Sequence, residues 1–267
     1  MEVLSVDIPS KIGEVWHLTP IGDVHADATA SDKAMLRRVI DERRALPNSL
    51  FIGLGDLYEW IMTDDHRYSR ANDNLPRGGN NEIDKMVAGA IKHFGGPRWL
   101  AMACGNHCMK VATKYHTDPM ERIAEGLGVP YAGYAGRLTL RFISPDSRPG
   151  RSSGCRSSLR VLFHHGAWGG DASAGFSGAM RWARGQSGWD VFLYGHNHQS
   201  MVRSYDVTEQ APSGRVLLHP QHVIACGTFL KNGESGMVTY SEKAGYGPVF
   251  VGCSLIRIRA GREDRSG

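Results

Sequence analysis

The stretch GHNH, residues 195–198, follows directly on the apolar run VFLY, residues 191–194. A short apolar run that ends at a glycine is typical of a buried strand followed by a sharp turn. Two histidines two residues apart at such a turn can direct two imidazoles into one small volume, which favours a metal site. Fold and function therefore depend on whether other strands end in further metal-type ligands.

Four earlier runs of the chain end in the same way. The polar residues that follow the five predicted strands are Asp23 and His25; Asp56; Asn106 and His107; His164 and His165; and His196 and His198. A glycine flanks each group, which permits a turn and a close backbone approach. One carboxylate and imidazole pair is weak evidence, but five successive strand ends of this kind predict a shared metal centre.

The segments between these motifs indicate an α/β chain. Helices are predicted over 31–46 (capped by Thr29 or Ser31), 82–94, 118–127 and 172–185, and the strands before 136 alternate with helices, which favours parallel pairing. Strands predicted over 137–143, 159–166, 200–207, 214–220, 222–229 and 248–260 indicate more antiparallel pairing later. No repeat or linker divides the chain, so a single domain over 1–267 is expected.

Composition bounds the function without identifying it. The 267 residues are 41% hydrophobic, which is enough for a substantial core, and the net charge of +4 allows an anionic substrate without requiring nucleic acid. Five cysteines without framework-like spacing predict a reduced, cytoplasmic protein. The first residues do not resemble a signal peptide, and no apolar run reaches membrane-spanning length, so no membrane association is expected.

Competing motifs are absent from the sequence. A dinucleotide fingerprint fails because Tyr58 stands where its third glycine belongs, and there is no phosphate-binding P-loop, zincin helix or nucleophile elbow. The polar segment 62–82 leaves directly after Asp56 and is either a solvated loop or a lid that contacts substrate through His66, Arg67 and Arg70.

The ordered set D-x-H, GD, GNH, a histidine after a later strand, and GH-x-H resembles the calcineurin-like metallophosphoesterase superfamily, in particular its phage and bacterial members. The resemblance covers residues 20–200. It implies a four-layer α-β-β-α sandwich of two mixed sheets, and two divalent metal ions. Nitrogen and oxygen ligands together suit borderline ions, so manganese is expected first, with iron, zinc, nickel or cobalt as alternatives.

The resemblance also implies a role for each motif residue. The first metal site would consist of Asp23, His25 and His198. The second would consist of Asn106, His196 and one histidine of the pair His164 and His165. Adjacent strand residues point to opposite faces, so only one of that pair is expected to reach the metal, and the following glycine favours His165. Asp56 would bridge the two ions.

His107 would face the substrate and stabilise or protonate the leaving oxygen. The family usually places an acidic residue directly after this histidine, but here the position is Cys108. Either another carboxylate orients His107 or turnover is weaker.

The implied function is hydrolysis of a phosphate ester by attack of a hydroxide held between the two metals. A phosphodiester is favoured, with nucleotides and nucleic acid as candidate substrates. The late segment 227–252 resembles phage-type members, and its Lys243 and Tyr246 could contact substrate. The alternatives are a Ser/Thr protein phosphatase-type monoesterase and a non-catalytic metal-binding scaffold; the oligomeric state stays open.

Overall fold

The computed structural model describes residues 1–68, 81–146, 155–169, 172–210, 212–232, 245 and 247–261. In this part of the chain there are eleven strands and five helices. The strands are β1 Glu2–Pro9, β2 Val15–Ile21, β3 Ser49–Leu54, β4 Trp99–Ala103, β5 Ala135–Ile143, β6 Cys155–His164, β7 Val191–Tyr194, β8 Ser200–Gln210, β9 Val216–Thr228, β10 Gly252–Cys253 and β11 Ile256–Arg259. The helices are α1 Lys33–Arg44, α2 Glu82–Phe94, α3 Asn106–Tyr115, α4 Pro119–Leu127 and α5 Ala172–Arg184.

The strands form two mixed sheets. The first has the order β11-β2-β3-β4, in which β2, β3 and β4 are parallel and β11 is antiparallel to β2. The second has the order β1-β5-β6-β7-β9-β10, and β8 also pairs with β9. In this sheet β6, β7 and β9 are parallel, whereas β5 and β6 are antiparallel. The prediction of an α/β chain with two mixed sheets is confirmed.

Three buried clusters define the layers. Leu50 and Leu54 of the first sheet pack with Phe163 and Leu193 of the second, so the sheets lie face to face over an apolar core. The outer face of the first sheet is covered by apolar residues of α1 to α4, and α5 covers the outer face of the second. The strand ends that carry the predicted ligands therefore come from both sheets.

Helix caps explain where several helices begin. The carboxylate of Asp32 accepts from the backbone N of Met35 at the start of α1, and Asp118 caps α4 next to Pro119 in its first turn. The prediction that Thr29 or Ser31 caps α1 is wrong, because the Ser31 hydroxyl instead donates to the carbonyl of Val24 at 2.7 Å.

Several predicted elements differ from the observed ones. Helix α2 matches its predicted range, but α3 and β1 were not predicted. The segments 214–220 and 222–229 form one strand, β9, whereas the segment 248–260 splits into β10 of the second sheet and β11 of the first. In the predicted loop 62–82, residues 69–80 with Arg70 lie outside the described residues, as do Lys243 and Tyr246.

None of the helices in the described ranges is long and apolar enough to cross a membrane. The five cysteines are free thiols, and Cys104, Cys108 and Cys226 are buried.

Candidate metal centre

The ends of β2, β3, β4, β6 and β7 bring their polar residues to one place between the sheets. In the described part of the chain, three groups of side chains have ligand atoms within 4.8 Å of one another. The groups are Asp23, His25 and His198; His25, Asp56 and His107; and Asp56, His165 and His196. Asp56 and His25 each belong to two groups, so the three groups form one continuous centre.

The backbone is strained at this centre. Left-handed φ angles occur at Asp23 (48°), His25 (48°), Asp56 (47°), His196 (70°) and His198 (57°). Such a conformation costs a non-glycine residue about 1–2 kcal/mol. Strain of this kind concentrates where a site needs particular side-chain directions, and here it turns each strand end toward the shared volume.

Glycines allow the strand ends to approach closely. A Cβ on Gly105 would stand 2.0 Å from the Asp56 Oδ1, and one on Gly195 would stand 2.7 Å from the Asp23 Oδ2. Gly55 has a φ of 90°, and a Cβ there would lie 2.6 Å from the backbone N of Gly105. The glycines of the GD, GNH and GH-x-H motifs therefore have steric reasons in this fold.

His165 is held with one ring nitrogen turned toward Asp56. Its Nδ1–H donates to the carbonyl of Leu54 at 2.8 Å, while its Nε2 lies 3.0 Å from the Asn106 Oδ1 and 3.1 Å from the Asp56 Oδ2. The His196 Nδ1 lies 2.9 Å from the same Asn106 oxygen. A backbone carbonyl on one imidazole nitrogen fixes the ring and leaves the other nitrogen for a metal.

His164 has a different environment. Its ring packs against Trp168 and Trp182 at centroid distances of 5.0 and 4.6 Å, and its Nδ1 accepts from the backbone N of Gly166 at 2.7 Å. Burial lowers the pKa of His164 to about 4. His164 belongs to none of the three described groups, so the geometry favours His165 as the ligand of the pair.

Asp23 connects the centre to the second sheet. Its Oδ2 accepts from the backbone N of His196 at 2.7 Å, and its Oδ1 lies 3.8 Å from the His198 Nε2. Its carbonyl accepts from the backbone N of Phe229 and from the Thr228 hydroxyl. Asp23 is fully buried, and burial raises its pKa to about 7.

Burial and neighbouring charges shift the pKa values of the ionisable groups in this centre. Burial acts to raise the pKa of Asp56, but the facing His165 and His107 outweigh it and hold the pKa well below its usual range. Burial acts to lower the pKa of His165, but Asp56 outweighs it and raises the pKa to about 9. Burial lowers the pKa of His198 to about 4. Without a metal, a proton on His165 therefore balances the charge of Asp56 at neutral pH.

The donor set fits a metal ion. Among the described residues, the Asp23 Oδ1 and both ring nitrogens of His25 are buried without a hydrogen-bond partner. Buried polar atoms nearly always have a partner, so these atoms are available to ligate a cation. Imidazole nitrogens with carboxylate and amide oxygens match borderline divalent ions.

His107 lies in the first turn of α3, at the edge of the centre. Its Nδ1–H donates to the carbonyl of Glu59 at 2.5 Å, and its Nε2 lies 4.0 Å from the Asp56 Oδ2. Its side chain is 13% exposed, and its ring lies 4.9 Å from the ring of His25. This histidine is thus oriented by a backbone carbonyl and remains accessible from solvent.

Sequence reasoning missed Asp27, which supports this arrangement. Asp27 is 3% exposed, and its carboxylate accepts from the backbone N of Glu59 and, at 3.0 Å, from that of Trp60. The peptide that orients His107 is therefore held by a buried carboxylate. Its position two residues after His25 was the available signal. Cys108, where an acid was expected, lies on the buried face of α3 and is fully buried in the core.

The predicted site residues therefore meet in one centre, apart from His164. Comparison with protein-family models finds no match for this chain, and comparison with curated proteins finds none. The residues of the centre themselves carry the functional argument.

Proposed function

We propose that this chain is a phosphoesterase of the calcineurin-like metallophosphoesterase type, which hydrolyses a phosphodiester with two divalent metal ions. The observation that carries the proposal is the position of Asp56, which is shared between a group with His25 and His107 and a group with His165 and His196. A carboxylate shared in this way is suited to bridge two ions.

The residues would divide between two ions. Asp23, His25 and His198 would hold one, and Asn106, His165 and His196 would hold the other, with Asp56 between them. Manganese is the proposed metal, with iron, zinc, nickel or cobalt as alternatives. Such a pair of ions supplies an activated water and neutralises the charge of the phosphoryl oxygens.

His107 would act on the substrate. Because the Glu59 carbonyl holds Nδ1–H, the Nε2 is the atom that can exchange a proton with the leaving oxygen. An imidazole can transfer protons near neutral pH, which suits this role.

One observation favours a diester over a monoester. A cavity of about 460 Å³ opens beside Asn106, which leaves room for a second substituent on the phosphate. The net charge of +4 suits an anionic substrate of either kind, because both esters are anions.

The test combines metal analysis with four substrates. Protein loaded with Mn²⁺ is analysed for bound metal and assayed on bis(p-nitrophenyl) phosphate, p-nitrophenyl phosphate, and single- and double-stranded DNA. We expect two bound ions per chain and faster hydrolysis of the diester than of the monoester. A chelator should remove the ions and abolish hydrolysis. Hydrolysis of the monoester alone would favour the protein phosphatase-type alternative. Two filled sites without activity on any substrate would leave a metal-binding scaffold and overturn the proposal.

A further inference from the structure

One face of α3 leads away from the metal centre. The helix begins at Asn106, and Met109, Lys110, Thr113 and Lys114 follow it at spacings of three, four, seven and eight residues. Residues at these spacings share a helix face. All of them line the cavity of about 460 Å³. The cavity is thus continuous with the centre through Asn106.

The charged side chains along this cavity differ in whether they have an ion-pair partner. Lys114 is paired with Asp64 at 2.6 Å, and Asp65, which also lines the cavity, is paired with Arg67 at 2.6 Å. Lys110 is exposed, and no carboxylate of the described residues lies within ion-pair distance of it. Among the described residues, Lys110 is therefore a positive charge without an ion-pair partner, about 6 Å, or one helical turn, from Asn106.

The space between Asn106 and Lys110 has an apolar surface. Tyr134 lines the cavity, and its hydroxyl donates to the carbonyl of Gly166 at 3.1 Å, which fixes the ring beside His165. Met109 is 41% exposed on the helix face. Single-stranded nucleic acid binds to surfaces that combine aromatic side chains for the bases with cations for the phosphates, and an exposed methionine adds an adaptable apolar contact.

We propose that this cavity binds a single-stranded oligonucleotide, with Lys110 on the phosphate next to the scissile one and Met109 and Tyr134 against the intervening nucleoside. The inference rests on the proposed phosphoesterase function for the reacting phosphate. A phosphorylated peptide has no regularly placed second anion, so the isolated charge of Lys110 favours a nucleotide strand.

The first test uses two esters that differ by one phosphate. Thymidine 5′-(p-nitrophenyl phosphate) is compared with the same ester carrying a 3′-phosphate, both with the Mn²⁺-loaded protein. We expect Lys110→Ala to lower kcat/KM for the 3′-phosphorylated ester about 5-fold more than for the other, the size of one exposed charge contact. Lys110→Arg should retain the preference, and Lys92→Ala on α2 serves as the matched control for loss of an exposed helical lysine.

The second test measures binding without turnover. Fluorescein-labelled octathymidylate is titrated with metal-free protein at several salt concentrations, and binding is followed by fluorescence anisotropy. Lys110→Ala should lose one phosphate contact, which should make the negative slope of log K against log salt less steep by about 0.7. The Lys92→Ala protein should keep the wild-type slope.

The outcomes separate the two proposals. An unchanged salt slope, or equal losses on the two esters, would overturn the role of Lys110 and leave the phosphoesterase proposal intact. Stronger competition by a phosphoserine peptide than by unlabelled oligonucleotide would overturn the choice of substrate class. A wild-type protein that hydrolyses neither of these esters nor any of the four earlier substrates would overturn the proposed function, while the salt slope would still test whether the cavity binds a strand.

Discussion

Asp56 is buried and shares its two groups with four histidines, and its charge raises the pKa of His165. We expect Asp56→Asn to lower metal affinity more than 100-fold, because a neutral amide of the same size cannot balance two cations, and even supporting residues cost about 10- to 100-fold. Metal content after dialysis against Mn²⁺ measures this, with circular dichroism to verify folding. Two retained ions and a full rate would show that Asp56 does not bridge them.

Asp27 affects His107 indirectly. Its carboxylate accepts from the backbone N of Glu59, and the carbonyl of Glu59 accepts from the Nδ1–H of His107. Both Asp27→Asn and His107→Ala are expected to retain the metals and to lower kcat, the alanine variant about 100-fold or more, as for loss of a general acid. The amide of Asp27→Asn keeps one oxygen acceptor, so its loss should be smaller. The measurement is kcat and KM with metal content on the same samples. A rise in KM with unchanged kcat in Asp27→Asn would contradict an effect through His107.

The proton on His165 gives the centre a pH dependence. The pKa of His165 is raised to about 9, so below that pH metal must displace a proton from it. Apparent Mn²⁺ affinity should therefore rise about 10-fold per pH unit between pH 7.5 and 8.5 and level off above pH 9, with Asp23 adding to the slope below pH 7. Calorimetric titration in buffers of different ionisation enthalpy measures the protons released. A Mn²⁺ affinity that does not depend on pH would contradict the displacement of a proton from His165.

The residues proposed as ligands could be predicted from sequence because each of their motifs contains a glycine at the end of an apolar run, which is a local signal. The position of Asp27 two residues after His25 was a signal, but its role could not be predicted, because its partners are backbone amides 32 and 33 residues away. The distinction between His164 and His165 also needed the fold, since the carbonyl of Leu54 that orients His165 lies 111 residues away.

At the scale of elements, the centre depends on the contact between the ends of β3 and β4. A Cβ on Gly55 would stand 2.6–2.7 Å from backbone atoms of Cys104 and Gly105. We expect Gly55→Ala to lower the free energy of unfolding by more than about 3 kcal/mol, because a backbone clash adds to the strain of a positive φ. Urea unfolding measures this difference.

Gly128, which ends α4, is the matched control for that substitution. Its φ is 68°, and a Cβ there would meet nothing within 4 Å. Gly128→Ala should therefore cost only the conformational part, about 1 kcal/mol. Equal losses in the two variants would mean that the approach of β3 and β4 does not limit stability.

The elements missed from sequence have identifiable causes. Helix α3 follows Gly105, which offers no capping side chain, so its start has no local signal. Strand β1 pairs with β5, more than 130 residues later. Pro220 suggested a break in β9. The backbone N of His222 donates to the carbonyl of Asp190, on the side of β9 that faces β7. The nitrogen of Pro220, two residues earlier, lies on the same side of the strand, at a level where β7 has not yet begun. No ladder bond is therefore lost at the proline.

At the scale of the whole molecule, the two sheets contribute different halves of the centre. Asp23, Asp56 and Asn106 follow strands of the first sheet, and His165, His196 and His198 follow strands of the second. Metal that binds both halves stabilises the docked sheets. With Mn²⁺ at 100 times its Kd, one site should add about 2.7 kcal/mol and raise Tm by about 5 °C or more over chelated protein. Asp56→Asn should show no such rise; an unchanged wild-type Tm would contradict binding across the sheets.

Because the proposed ligands are divided between the two sheets, ion binding would also report on folding. Either sheet alone carries only half of the donors, and the buried atoms of Asp23 and His25 come together with the second sheet only when the inner faces meet. During refolding, capture of an ion would therefore report that the two sheets have docked. The ion proposed to serve chemistry in the folded protein would then also report this step of its assembly.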